Sequence, residues 1–182
     1  MARDPVVTTP SSRLTLVLGG ARSGKSRHAE SLVMAAPPPW LYVATAEARD
    51  HEMTARIAAH RARRGADWRT IEAPRDIAAV LTSAPIGGAV LVDCLTLWLS
   101  NLMLADADID AEFDRLDAAL ARAQVPIVLV SNEVGLGIVP DNALARRFRD
   151  AQGRLNQRVA ARADRVVLMV AGLPLAVKGN VS

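Results

Sequence analysis

The chain has 182 residues, 51% of them hydrophobic and 3% aromatic, with a formal net charge of +3. That length accommodates one domain with a sizeable aliphatic core and excludes two independent catalytic domains, while so few rings leave a base-stacking nucleic-acid surface poorly supplied. The single cysteine, Cys94, excludes an internal disulfide, and the most apolar late stretch, Val166 to Val177, is too short to cross a bilayer. The expectation is a cytoplasmic protein with no membrane segment, whose positive charge suits anionic small ligands at least as well as nucleic acid.

Residues 1–12 mix Pro, Ser, Thr and charges without the apolar stretch of an export signal, and read as a flexible leader ahead of one domain over 13–182. Leu14 to Leu18 reads as a strand and Lys25 to about Met34 as a helix, closed by Pro37, Pro38 and Pro39. Trp40 to Ala44 is the next apolar run, Asp50 to Arg64 an Arg-rich helix ended by Gly65, and Trp68 to Glu72 a short alternating strand. A helix is expected at Asp76 to Ser83, then a buried strand at Ala89 to Asp93 that ends in a carboxylate. Leu95 to Leu104 and Ile109 to Arg122 have helical spacing around an acidic turn with Asp106, Asp108 and Asp110. Val125 to Ser131 returns to strand, Asn132 to Pro140 is a Gly-containing loop, and Asn142 to Ala163 is a long Arg-rich helix. Arg165 to Val170 and Leu173 to Lys178 read as the last strands.

This alternation predicts a mostly parallel sheet with helices on both faces. Ligands of such sheets gather beyond the carboxyl ends of the strands, which points to the loops beginning at Gly19, Thr45, Asp93 and Asn132.

The first of these loops carries a strong motif. Gly19, Gly20, Ala21, Arg22, Ser23, Gly24, Lys25 and Ser26 fit GxxxxGK(S/T), placed between a strand and a helix as phosphate binding requires. Glycines let backbone N–H groups wrap a polyphosphate, and the helix that follows presents its positive end to the anion. Lys25 would reach the β- and γ-phosphates, and Ser26 would offer a hydroxyl to Mg2+. Lysine is otherwise avoided: of 22 basic residues only Lys25 and Lys178 are not arginine.

Asp93 matches the strand-end acid that helps hold Mg2+ in such proteins, although an Asp there also suits the cap of the following helix. His60 shares a helix face with Met53, Ile57 and Arg64, so spacing alone reads it more simply as a half-buried helix histidine. With an unperturbed pKa of about 6.5, its imidazole is nevertheless neutral enough at cellular pH to attack phosphorus. Glu133 suits either a substrate hydroxyl or the cap of a turn. The series Arg146, Arg147, Arg149, Arg154, Arg158 and Arg162 reads as a salt-bridged or subunit-facing helix rather than a nucleic-acid track. His28 and His51 suggest no role.

Four stretches together carry a family resemblance: GGARSGKSRHAE from Gly19, LYVATAEARDHEMTARIAAHRARRGADWRTIEAP from Leu41, VLVDCLTLWLSNLM from Val90, and VLVSNEVGLGIVPDNALARRFRDAQGRLNQRVA from Val128. The chain resembles the bifunctional adenosylcobinamide kinase/adenosylcobinamide-phosphate guanylyltransferases from Leu14 to Gly179. The phosphate loop is widely shared, whereas ARIxxHxxRR and NEVGxGIVP are far more specific.

The resemblance implies a RecA-like P-loop fold with an antiparallel edge strand, and a homotrimer. It also implies two reactions of adenosylcobalamin assembly: phosphorylation of adenosylcobinamide with ATP or GTP, then transfer of GMP from GTP to adenosylcobinamide phosphate through a guanylylated histidine, giving adenosylcobinamide-GDP. By residue match, His60 becomes the nucleophile, and Ala44, Thr45, Ala46, Arg61, Ala62, Arg63, Arg64, Glu72 and Asp93 become guanine-nucleotide contacts beside Gly19 to Ser26. The readings that stay open are a transferase without kinase activity, another small-molecule P-loop kinase, a nucleic-acid-dependent ATPase and a nucleotide sensor. An ordinary kinase would need neither the histidine nor a guanine preference.

Overall fold

The computed structural model describes residues 13–48, 51, 54, 58, 62, 64–83 and 88–180. The leader assigned to 1–12 lies outside these residues, as do His60, Arg61 and Arg63. In chain order the elements are β1 (Leu14–Gly19), α1 (Lys25–Met34), β2 (Trp40–Ala44), β3 (Trp68–Glu72), α2 (Ile77–Thr82) and β4 (Ala89–Asp93). They continue with α3 (Leu95–Leu104), α4 (Ile109–Arg122), β5 (Ile127–Val130), α5 (Ala143–Arg162), β6 (Arg165–Val170) and β7 (Leu173–Lys178). The described positions His51, Thr54, Ala58 and Ala62 are helical and exposed, within the helix expected between β2 and β3.

The seven strands form one sheet in the order β3-β2-β4-β5-β1-β6-β7, parallel except for the antiparallel β6–β7 pair at one edge. Two residues with positive φ, Ala171 and Gly172, make the tight connection between those last strands. β5 is shorter than the expected Val125 to Ser131, because Pro126 lacks an N–H and offers the ladder only its carbonyl, which accepts from Val90 N at 2.9 Å.

Strand alternation sends side chains to two unequal cores. On one face Leu16, Val43, Val92, Ile127 and Leu129 pack with Trp98, Phe113, Leu116 and Leu155 from α3, α4 and α5, all fully buried. On the other, Val17, Leu91, Val128 and Val130 pack beneath Ala29 and Val33 of α1. The helices are capped by their own sequence: Asp76, Asp108 and Asn142 each accept a backbone N–H from the first turn of α2, α4 and α5. Thus the acidic turn expected around Asp108 starts α4, and Asp110 and Glu112 complement its N-terminal dipole. Four of the six arginines of the α5 series are tied down: Arg158 pairs with Asp114 and Asp117, Arg162 with Asp117, Arg149 with Asp150, and Arg146 donates to the Pro140 and Asp141 carbonyls.

Candidate active site

Gly19 and Gly24 are where the phosphate loop needs glycine. Gly19 has φ 151°, and a Cβ there would lie 2.6 Å from the Met169 carbonyl oxygen, while Gly24 caps α1 at φ 93°. The loop leans on the β6–β7 turn, with Gly172 N donating to Ser23 O at 3.1 Å. Lys25 is only 7% exposed and its ammonium turns back into the loop to donate to the Gly20 carbonyl. Ser26 follows on the first turn of α1, so the loop, the lysine and the hydroxyl share one helix start.

Asp93 lies two strands from β1, with β5 between, an arrangement that brings the ends of β1, β5 and β4 side by side. It does not cap α3. That place falls to Cys94, without a side-chain cap bond, and the Asp93 carboxylate instead accepts from the Tyr42 hydroxyl at 3.2 Å. Burial pushes the Tyr42 hydroxyl well above the ordinary tyrosine range, with the Asp93 charge adding to the rise, so Tyr42 is a protonated donor. The Cys94 thiol is pushed up to about 11, chiefly by burial and then by Asp93, with Lys25 pulling the other way.

The parallel register aligns three expected contacts that the chain keeps far apart. Glu72 pairs with Ala44, and Ala44 with Asp93, so the three stand in one row across β3, β2 and β4. Alternation puts Trp68 and Thr70 on the same face as Glu72, and these three with Arg64 and Gly65 line an open cleft of about 410 Å3. Arg64 enters it from above β2, with its guanidinium carbon 3.5 Å from the Tyr42 ring centroid. Ala46 is half-buried at the start of the next loop, and Ala62 is exposed.

Thr45 is placed differently from its neighbours. It is fully buried, its hydroxyl both donates to Cys94 O and accepts from Cys94 N at 2.7 Å, and its own N–H donates to Asp93 O. Asn101 Nδ2 donates to the Thr45 and Pro74 carbonyls at 2.8 and 2.9 Å. Its contribution to the site is therefore to fix where Ala44, Ala46 and Asp93 stand. Glu133 caps a turn, accepting from Gly135 N at 2.6 Å, while its own N–H donates to Gly19 O. Beneath that loop Ser131, Gln152 and Asn156 form a buried hydrogen-bonded cluster, and Asn156 donates to Asn132 O.

Sequence reading missed Tyr42, Asn101 and the Ser131 cluster. The chain has a single tyrosine, and its place at the centre of an apolar strand was the available signal. The donors suited to Mg2+ are a hydroxyl and a carboxylate, Ser26 and Asp93. Such a sparse hard-oxygen set fits an ion that keeps several waters and takes other ligands from phosphates, and no cluster of three or more His, Cys, Asp or Glu stands together among the described residues. No helix among them is long and apolar enough to cross a membrane.

The sheet order has a counterpart among solved structures. A type III secretion system ATPase from pathogenic bacteria superposes with a TM-score of 0.54 at 14% identity, covering 90% of this chain and 56% of that one, which shows a shared P-loop ATPase fold. Among curated proteins, the bifunctional adenosylcobalamin biosynthesis protein CobP of Pseudomonas aeruginosa is 53% identical over 168 residues, spanning 91% of this chain and 97% of that protein. The corresponding CobU proteins of Salmonella typhimurium and Escherichia coli are 46% and 42% identical, each covering 91% of this chain and 99% of the relative. The model of the cobinamide kinase / cobinamide phosphate guanyltransferase family matches residues 15–177. With the phosphate loop, the strand-end acid and the mostly parallel seven-stranded sheet in place, the chain belongs to that family of bifunctional adenosylcobalamin-biosynthesis enzymes.

Proposed function

We propose that a single nucleotide cradle serves both reactions of this kinase and guanylyltransferase, with Gly19 to Ser26 holding the triphosphate tail each time and a different phosphorus attacked. The observation that carries this reading is the row Glu72, Ala44 and Asp93, which extends the phosphate-loop end of the sheet into the Arg64 cleft on the same face. In the kinase step the adenosylcobinamide hydroxyl attacks the γ-phosphorus of ATP or GTP, its proton leaves, and the nucleoside diphosphate departs. Lys25 stabilises the charge that develops on the phosphates. Mg2+, held by Ser26 and Asp93, would supply further neutralisation of phosphate charge.

In the second step a neutral ring nitrogen of His60 attacks the α-phosphorus of GTP and pyrophosphate leaves. A phosphate oxygen of adenosylcobinamide phosphate then displaces the histidine, breaking the P–N bond and giving adenosylcobinamide-GDP. Arg61, Arg63 and Arg64, with Ala62 between them, bring positive charge to the triphosphate, and Glu72 offers a carboxylate acceptor to the donor edge of guanine. The cleft beside Trp68 suits a base, and Thr45 acts from beneath the strand end by fixing where Ala44 and Ala46 stand. The lone buried thiol and the nucleoside triphosphate substrates fit a cytoplasmic setting.

Incubation with GTP labelled in the α-phosphate tests the covalent step. Wild type takes up acid-labile, base-stable label, and His60→Ala takes up none while still phosphorylating adenosylcobinamide; labelling of His60→Ala at the wild-type level would overturn the assignment. We further assign a homotrimer, supported by the exposed apolar row Leu173, Leu175 and Val177 along β7 at the sheet edge. Sedimentation equilibrium checks it, and a monomer at micromolar concentration contradicts it.

A further inference from the structure

Tyr42 was given no role by the sequence, yet it touches both Asp93 and Arg64. It is 5% exposed, held by the packing of β2 between β3 and β4 and by an edge-on contact with Trp68 at 6.3 Å between centroids. Its hydroxyl donates to Oδ2 of Asp93, and its ring face carries the Arg64 guanidinium at 3.5 Å. The Arg64 Nη1 atom is buried and has no hydrogen-bond partner among the described residues. A buried guanidinium donor without a partner is costly, and the same arginine lines the cleft, so its position has to be held by the ring beneath it.

We propose that Tyr42 is a positioning residue that couples the Asp93 carboxylate to the Arg64 guanidinium, so that nucleotide bound against Arg64 and Mg2+ bound near Asp93 strengthen one another through one rigid ring. This rests on the reading of Asp93 as a Mg2+ partner and Arg64 as a nucleotide contact. The two functions of the side chain are separable. The hydroxyl fixes the Asp93 carboxylate through Oδ2, and the ring supports the arginine by its quadrupole and its flat surface. A tyrosine that merely filled the core would lose stability when trimmed but would not divide these effects between two substitutions.

The test is equilibrium binding of a fluorescent N-methylanthraniloyl-GDP to the full-length protein, with Mg2+ and with EDTA, for wild type, Tyr42→Phe, Tyr42→Leu, Arg64→Met and Asp93→Asn. Thermal midpoints identify variants that fail to fold. Wild type binds more tightly with Mg2+. Tyr42→Phe keeps the EDTA affinity and loses about tenfold of the Mg2+ enhancement, the scale of one hydrogen bond to a charged group. Arg64→Met weakens binding in EDTA by about three- to fivefold and also loses part of the Mg2+ enhancement, as reciprocal coupling requires, and Tyr42→Leu combines both losses; an unchanged enhancement in Arg64→Met overturns the coupling. If Tyr42→Leu does not fold, Tyr42→Phe and Arg64→Met carry the test alone. A full Mg2+ enhancement in Tyr42→Phe, with the enhancement lost in Asp93→Asn, overturns the coupling and leaves the Asp93 reading standing. A full enhancement in Asp93→Asn overturns that reading, and the coupling falls with it.

Discussion

The two faces of the sheet are covered unequally, and the candidate site lies on the less covered one. One face is sealed by α2 to α5, where Trp98, Phe113, Leu116 and Leu155 are each 1% exposed and Trp98 donates its indole N–H to the Arg75 carbonyl. The other face has α1 over β1, β5 and β4, and beside it the Arg64 cleft opens on β3. Where the apolar cover stops, polar side chains on alternate positions of the same strands face outward: Glu72 and Thr70 from β3, Asp93 from β4. A sealed face contributes stability, and a partly covered one leaves room for a ligand.

The contrast predicts different failures on the two faces. Trp98→Ala on the sealed face should cost about 3–5 kcal/mol of stability, read as a fall in thermal midpoint, because it leaves a cavity against Phe113 and orphans the Arg75 carbonyl. Lys25→Ala on the open face should leave the midpoint near wild type but lower kinase turnover by about 100-fold or more, assayed with adenosylcobinamide and ATP. Were both variants to lose stability alike, the division between a structural and a catalytic face would fail.

Asn101 stands between the two, since it is buried yet anchors the strand end beside Asp93. Asn101→Ala should cost about 1–3 kcal/mol by freeing the Thr45 and Pro74 carbonyls, and should lower activity in proportion to the shift of Asp93. Glu72→Gln, exposed at the cleft, should raise the KM for GTP in guanylyl transfer by about tenfold with no change in midpoint, and leave the ATP-dependent kinase step untouched. The smallest effect is at Cys94. With its thiol pushed up to about 11 by burial and by Asp93, it is protonated at pH 8, so native protein should resist iodoacetamide and alkylate only when unfolded.

Much of this arrangement was legible in the chain. The phosphate loop and the strand runs are local features, set by short-range spacing and by the periodicity of apolar residues, so they read directly from residues a few positions apart, whereas Asp76 and Asn142, expected as first helical residues, stand one position outside as caps. Of the two readings left open at Asp93 and Glu133, only the first turned on a distant residue. Asp93 was separated from a helix-cap role by Tyr42, 51 positions earlier, whereas Glu133 does cap a turn, by a bond to Gly135. The expectation for Thr45 was drawn from its position in a motif, and its burial against Cys94 and Asn101 depends on β2 pairing with β4.

By itself, then, the amino-acid sequence determined that this protein carries a phosphate-loop motif between a strand and a helix, folds as alternating strands and helices, and carries the stretches of the cobinamide kinase and guanylyltransferase family. Each of these depends on spacing along the chain. The tertiary structure decided which distant residues stand together: the row Glu72, Ala44 and Asp93, and the stack of Arg64 on Tyr42. The physical reason is that parallel strands meet only through crossover connections, so their register is set by packing of the whole sheet and not by any local signal.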